Sequence, residues 1–263
     1  MIKIGIIGYK RGKKILEILK KTRLKLNVLA IYDNDKNQLL DINKKIKTYN
    51  NLNSFLKNKD IEAVYIASPV NCHAQQTIEV LKKKKHVLCE VPAFKKIQDG
   101  KKIYKILKKE KKIYMMAENY CFLPQYLALY YLIKKKVFGE ITFIRSSYIH
   151  DCRDLSFDRK NSKLTWRGKE RLKLSGNDYP THSIGPICKI LGYENRNDNL
   201  KNITTFSNNE NAMSNMYFKL FPKLKKKNYF KRPDTSISII RTKKNKVIEL
   251  ICDTSSVRPH SMI

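Results

Sequence analysis

Acidic residues are scarce in this sequence relative to basic ones. It carries 23 Asp and Glu against 55 Lys and Arg, a formal net charge of +32. Such an excess ordinarily points to a nucleic-acid or membrane partner. Yet the lysines run along the whole chain among many asparagines and isoleucines, with no basic tail, no repeat and no basic patch interleaved with aromatics. The excess therefore reads as solvated surface, in keeping with an AT-rich coding sequence. The basic stretch Lys223–Lys227 reads as a solvated loop.

Metal and disulfide spacings are absent too. The six cysteines, Cys72, Cys89, Cys121, Cys152, Cys188 and Cys252, form no C-x-x-C pair. They read as reduced, mostly buried thiols of a cytoplasmic protein with no bound metal. No apolar run is long enough to span a bilayer, and the first strand starts at residue 2, so no signal peptide is expected. What remains is a chain of 263 residues, with room for two domains and a substantial core.

The stretch Met1–Lys20 organises that core. Ile2–Ile7 is an aliphatic run that breaks at Gly8, passes Tyr9-Lys10-Arg11 to Gly12, and enters Lys13–Lys20 with apolar Ile15, Leu16, Ile18 and Leu19. A buried strand, a glycine turn and an amphipathic helix follow from that pattern. Such a turn aims backbone N–H groups and a helix N-terminus at a pyrophosphate. The glycine spacing is one residue shorter than the usual dinucleotide pattern. A second run, Leu26–Tyr32, ends at Asp33, 21 residues beyond Gly12. A carboxylate there accepts from a ribose 2′-hydroxyl and repels a 2′-phosphate, which favours NAD over NADP.

Further along, helices are expected over Lys36–Lys47 and Leu52–Lys57, and a strand over Ala63–Ala67 ending at Ser68-Pro69. The loop Val70-Asn71-Cys72-His73 leads to a helix through Lys84, and His73 reads either as a ligand contact or as a residue of the helix start. His86–Cys89 is the next strand, before Glu90-Val91-Pro92; a helix through Lys109 and a strand at Tyr114–Ala117 complete the unit. Alternating strands and helices with short loops imply a doubly wound parallel sheet over 1–120, binding ligands beyond the carboxyl ends of its strands. Over 121–263 a helix at Gln125–Lys136 and strands at Ile141–Ile149, Ile203–Phe206, Ser236–Thr242 and Val247–Asp253 imply an α+β domain with an open, largely antiparallel sheet.

Several segments then carry a resemblance. Ser68-Pro69, Cys89-Glu90-Val91-Pro92-Ala93 and Glu118-Asn119-Tyr120 occur in the order found in the Gfo/Idh/MocA oxidoreductase family. Tyr148-Ile149-His150-Asp151, Trp166-Arg167, Tyr179-Pro180-Thr181-His182, Gly185-Pro186, Asp253-Thr254 and Arg258-Pro259 resemble its glycoside hydrolase family 109 branch, the NAD-dependent α-N-acetylgalactosaminidases. The resemblance covers essentially the whole chain. It implies a Rossmann domain, with NAD contacts from Gly8, Lys10, Arg11, Gly12, Asp33, Ser68, Val70, Asn71, His73, Glu90, Val91 and Asn119. It also implies substrate-facing groups at Tyr148, Arg167, Tyr179, Pro180, Thr181 and His182, and His260 stands where the family has a tyrosine. The family's chains run on past residue 263, so an incompletely covered second domain, with an apolar patch beside an edge at Val247–Asp253 that a second copy could fill, is also expected.

Chemistry narrows the options. Sugar dehydrogenases of this superfamily carry a proton-moving lysine after the glutamate, and Val91 stands there. Proton transfer then falls to Tyr179 and His182, His being suited to acid–base work near neutrality. The resemblance implies transient oxidation at sugar C3, elimination of the glycosidic oxygen, water addition and return of the hydride, with Arg167 placing the sugar. A sugar dehydrogenase and a non-catalytic NAD-binding remnant are the alternatives, and a nucleic-acid protein comes last.

Overall fold

The computed structural model describes residues 1–173, 176–177, 179–193, 198–222 and 229–257. The expected loop at Lys223–Lys227, the Arg258-Pro259 motif and His260 lie outside them. The chain forms two units, Met1–Ala117 and Glu118–Ile263. Glu118, Asn119 and Tyr120, which the sequence reading assigns to the first domain, thus stand with the second.

In the first unit β1 (Ile2–Ile7), α1 (Tyr9–Lys21), β2 (Leu26–Tyr32), β3 (Lys47–Tyr49), α2 (Leu52–Leu56), β4 (Ala63–Ile66), α3 (His73–Lys82), β5 (His86–Cys89), α4 (Ile97–Glu110) and β6 (Tyr114–Met116) follow one another. The strands lie in the order β3-β2-β1-β4-β5-β6, every pair parallel. Parallel sheets are covered on both faces, so their strands read as continuous aliphatic runs. Ile7, Ile66, Val80 and Leu81 gather in one apolar cluster, while Ile4, Ile6 and Ile31 meet Ile15, Leu16 and Leu19 of α1 in another.

Two expectations are corrected here. The first helix begins at Tyr9, four residues before Lys13. Gly8 turns the chain at φ 87°, Asp33 accepts from the Tyr9 N–H, and Gly12 has no Cβ to collide with Ile6. Lys36–Lys47 is not a helix but a 3-10 turn, Lys36–Leu39, followed by irregular chain. Asp35 and Asn43 there accept from the backbone N–H of Asn37 and Lys45, local bonds that compete with a helix ladder.

The second unit runs α5 (Pro124–Lys134), β7 (Phe143–Ile149), β8 (Phe157–Asp158), β9 (Lys163–Leu164), α6 (Trp166–Arg171), α7 (Thr181–Ile190), β10 (Leu200–Ser207), α8 (Ala212–Leu220), β11 (Thr235–Thr242) and β12 (Val247–Asp253). Its main sheet has the order β10-β11-β12-β7, antiparallel except for the β12–β7 pair. The expected edge at Val247–Asp253 is therefore interior, because β7, from far upstream, pairs along its full length. Exposed apolar surface exists, but on a face. Phe206 pairs with Ile237, Ile237 with Ile251, and Val247 with Phe143; Phe206, Ile237, Ile239 and Phe143 are exposed.

Of the six thiols, all free, only Cys89 and Cys252 are fully buried, fewer than expected. Among the described residues no helix is long and apolar enough to cross a membrane, and no group of three His, Cys, Asp or Glu could hold a metal.

Candidate active site

In the first unit the strand order reverses direction between β1 and β4, where a parallel sheet opens a crevice at its carboxyl ends. Gly8 lies at that point. A Cβ there would stand 2.6 Å from the Ser68 backbone nitrogen, so the turn leaves room for backbone only. Asp33 is nine-tenths buried beside it, taking the Tyr9 N–H at 2.8 Å and the Asp35 N–H at 3.0 Å. Each carboxylate oxygen keeps a second lone pair for a ribose hydroxyl.

Arg11 reaches across from the first turn of α1, its Nε 3.1 Å from Glu90 Oε1. Tyr65 donates to that same oxygen, and burial with this bond pushes its phenol well above the usual range, so it stays a donor. Lys10 is exposed, and Val70 and Asn71 form the 3-10 turn before α3. Val91 is buried. His73 is buried with Nδ1 2.8 Å from Pro92 O and Nε2 2.8 Å from Ser68 O. Both ring nitrogens are thereby engaged, and His73 braces the loops carrying Ser68 and Pro92 rather than presenting its ring to a ligand. A glycine turn without space for a side chain and a fixed acid at the end of β2 fit a dinucleotide.

The second unit assembles an aromatic and charged cluster. His182, in the first turn of α7, places Nδ1 2.8 Å from Glu118 Oε1. A carboxylate only accepts, so Nδ1 carries the proton and Nε2 is the imidazole's basic nitrogen. Tyr120 stacks on the imidazole with centroids 3.8 Å apart and an interplanar angle of 13°. Tyr179 and Tyr148 lie 5.0 and 5.2 Å from it, ring to ring. The Tyr148 hydroxyl stands 2.8 Å from His150 Nδ1, and burial raises its pKa.

Local backbone sets these positions. Pro180 ends the preceding loop, and its carbonyl accepts from Ser183 and Ile184 to open α7. Gly185, one turn on, lets α7 approach Glu118; a Cβ there would lie 2.6 Å from Glu118 Cγ. Glu118 Oε1 also takes the Tyr120 N–H, whereas its Oε2 is buried without a partner, as are Thr181 Oγ1 and Ser183 Oγ. An unsatisfied buried polar group costs about 1–3 kcal/mol.

Sequence reasoning reached Tyr148, Tyr179, Pro180, Thr181 and His182, which the structure brings together or beside one another. It missed Glu118 and Tyr120, assigning only exposed Asn119 between them. The Glu118–His182 pair spans 64 positions, and no local spacing discloses it. Arg167 is exposed with its guanidinium 4.3 Å above the Trp166 ring. Its charge still reaches the Cys152 thiol, which burial raises and Arg171 and Arg167 lower.

The strand order, glycine turn and acidic strand end define an NAD-binding Rossmann domain, and residues 2–118 match the oxidoreductase family of that description. Residues 123–263 match the C-terminal domain of glycosyl hydrolase 109, and the chain belongs to that family. An α-N-acetylgalactosaminidase of Bacteroides fragilis is 30% identical over 211 residues, 78% of this chain and 49% of that protein. A glycosyl hydrolase family 109 protein of Solibacter usitatus is 28% identical over 212 residues, 80% of this chain and 48% of that protein. The chain thus spans about half the length of these curated relatives. In fold it resembles the scyllo-inositol dehydrogenase of Lactobacillus casei solved with NAD(H) and scyllo-inositol (TM-score 0.76, 19% identity, 100% of this chain and 72% of that one). The myo-inositol dehydrogenase of the same organism is similar at TM-score 0.74, with 18% identity over 100% of this chain and 70% of that one.

Proposed function

We propose that the protein is an NAD-dependent glycosidase acting on N-acetylgalactosaminide-type sugars. The observation carrying this reading is the Glu118–His182 pair, whose oriented imidazole is ringed by Tyr120, Tyr148 and Tyr179. NAD, when bound, supplies an acceptor for the C3 hydride of the sugar, and a C3 ketone acidifies the neighbouring C2 proton. His182 Nε2 is the base for that proton, because Glu118 holds the ring in the tautomer that leaves Nε2 bare. Tyr179, on the loop before α7, serves as the acid for the departing oxygen. Tyr148, kept protonated by burial, donates a hydrogen bond to the sugar, and Arg167 orients it from the rim.

Asp33 selects NAD by its ribose, with the Gly8 turn, Lys10, Arg11, Ser68, Val70, Asn71 and Glu90 lining the cofactor's path. Val91 stands where the superfamily's sugar dehydrogenases carry a lysine and cannot take the C3 hydroxyl proton released with the hydride, so that proton, too, falls to the Tyr179–His182 pair. Self-association through the apolar face of the second sheet, and the cytoplasmic location suggested by the free thiols, belong to the same reading. Phe206→Glu should then lower the sedimenting mass.

The test is turnover of an aryl N-acetylgalactosaminide in D₂O. Deuterium should enter C2 of the product without net NADH, and His182→Ala or Tyr179→Phe should cost about 10²–10⁴ in rate with NAD binding retained. Glu118→Gln should cost less than His182→Ala. Hydrolysis without C2 exchange would sink the elimination route, and net NADH from free sugar would favour a dehydrogenase. Bound NAD with no turnover of either kind leaves a remnant.

A further inference from the structure

At the amino ends of β4, β5 and β6, opposite the glycine turn, lies a cavity of about 530 Å³. Three loops meet around it. Lys57 and Lys59 follow α2, Lys83, Lys84 and Lys85 follow α3, and Lys112 follows α4. Six of its ten lining residues are lysines, in a chain where Lys and Arg together make 55 of 263. The general basicity of the surface does not account for that concentration.

Helix ends attract cations, but α3 and α4 already carry Lys82, Lys108 and Lys109 in their last turns. Of the lysines around the cavity, Lys57 and Lys83 are the C-cap residues of α2 and α3, but Lys59, Lys84 and Lys112 lie beyond any helix end. Lys85 is spent on structure, its Nζ donating to Asn58 O at 2.7 Å and Ile61 O at 2.8 Å. The other five form no ion pair with any described acidic side chain. Glu62 is the lone carboxylate in the lining, and its Oε2 takes the Lys3 N–H. Lys84 keeps a lysine at φ 58°, where glycine or asparagine is the relaxed choice. His86 accepts the Ile113 N–H at Nδ1, which leaves Nε2–H as the ring's donor.

The lining defines the ligand. Ammonium groups are compact point charges that suit phosphate oxygens from many directions. No Phe, Tyr or Trp lines the cavity, so a nucleobase has no ring to stack on and single-stranded nucleic acid is disfavoured. The volume falls in the range of small-molecule sites, with the pocket partly open to solvent. We propose that this cavity is an anion site, separate from the cofactor crevice, for a compact oligophosphate. Free pyrophosphate or tripolyphosphate and the phosphate tail of a nucleoside triphosphate share that chemistry.

Calorimetric titration of the full chain with NAD present tests it, using tripolyphosphate, orthophosphate, ATP and adenosine as probes. Tripolyphosphate should bind once per chain, at least about tenfold tighter than orthophosphate, and weaken steeply with added salt. ATP matching tripolyphosphate identifies a free oligophosphate as the ligand; ATP much tighter, with adenosine silent, identifies a nucleotide tail. Lys83→Gln with Lys84→Gln should weaken tripolyphosphate at least about tenfold. The same charge change at exposed Lys101 and Lys105 on α4 should leave it unchanged. Equal losses in both double variants, several equivalents bound per chain, or no binding would overturn the site. If the first double variant does not fold, Lys57→Gln with Lys59→Gln makes the same comparison.

Discussion

In the first unit Ile6, Ile7, Ile31, Ile66 and Leu81 have no exposed surface and the sheet is apolar under its helices, whereas the covered residues of β11 in the second are Ser236, Ser238, Ile240 and Thr242. Buried charge is unequal in the same sense, for the first unit hides only Asp33 and Lys85 among its described charged side chains. The second unit hides Arg171, Arg232, Glu210, Asp234 and Asp253. The first unit is held mainly by non-directional burial of aliphatic surface, whereas the second adds to its two apolar clusters hydrogen bonds that fix particular groups in particular places. A scaffold that lays backbone against a cofactor needs only the burial. A site that must aim an imidazole and several phenols needs the hydrogen bonds as well.

Breaking each kind of core gives the largest expected effects. Arg171 Nη1 donates to Ser255 Oγ at 2.9 Å and Nη2 to Thr254 Oγ1 at 2.7 Å and Thr254 O at 3.1 Å, so α6 is tied to the chain after β12. Arg171→Met leaves those buried groups without their donor and should cost about 1–3 kcal/mol. Ile66→Ala in the first unit leaves a cavity and should cost about 2–5 kcal/mol. The only tryptophan, Trp166, lies in the second unit, so its fluorescence reports that unit while far-ultraviolet dichroism reports both. In urea titrations Arg171→Met should shift the fluorescence transition, and Ile66→Ala the remaining dichroism. Equal shifts in both signals for both variants would mean that the two cores melt as one.

A smaller effect sharpens the contrast at the cofactor. Asp33 is the carboxylate that follows β2 at the first unit's ligand-binding end, and a hydrogen bond to a charged group contributes about 1.5–3 kcal/mol. Asp33→Ala should weaken NAD by about 10–100-fold and narrow its margin over NADP. Unchanged titrations of both cofactors would reduce Asp33 to a cap on the Tyr9 and Asp35 amides.

The same division governs what could be read from sequence. Aliphatic runs bounded by glycine, proline or a charge gave β1, β2, β4 and β5 almost to the residue, and the alternation with helices gave the parallel sheet. Lys36–Lys47 failed because Asp35 and Asn43 bind local amides, which residue periodicity does not register. In the second unit Val247–Asp253 was legible as a strand, but its interior place depends on β7, about a hundred positions away. α6 and α8 went unread, as did Glu118. The groups that close the site are polar and distant in sequence, and only the folded chain pairs them.

The smallest effect is pH dependence, and it separates two acids of the second unit. Burial raises the Asp253 carboxyl, but bonds from Ser256, Ser255 and Thr235 together outweigh burial and leave it below its ordinary 3.8. Its charged form is favoured by the fold, so that contribution is complete above the unfolded value and is lost as pH falls through the folded one. Glu210 is shifted the other way, chiefly by burial, to above 4.5. Its ionisation opposes folding; that penalty is full above the folded value and disappears as pH drops toward the unfolded one. The Trp166-monitored midpoint should therefore rise slightly as pH is lowered from neutrality toward 4.5 and fall once it passes below 3.8. Glu210→Gln should flatten the rise, and Asp253→Asn should remove much of the fall while lowering the plateau. A midpoint that declines from neutrality in both variants as in the parent would show that other groups set the acid stability of this unit.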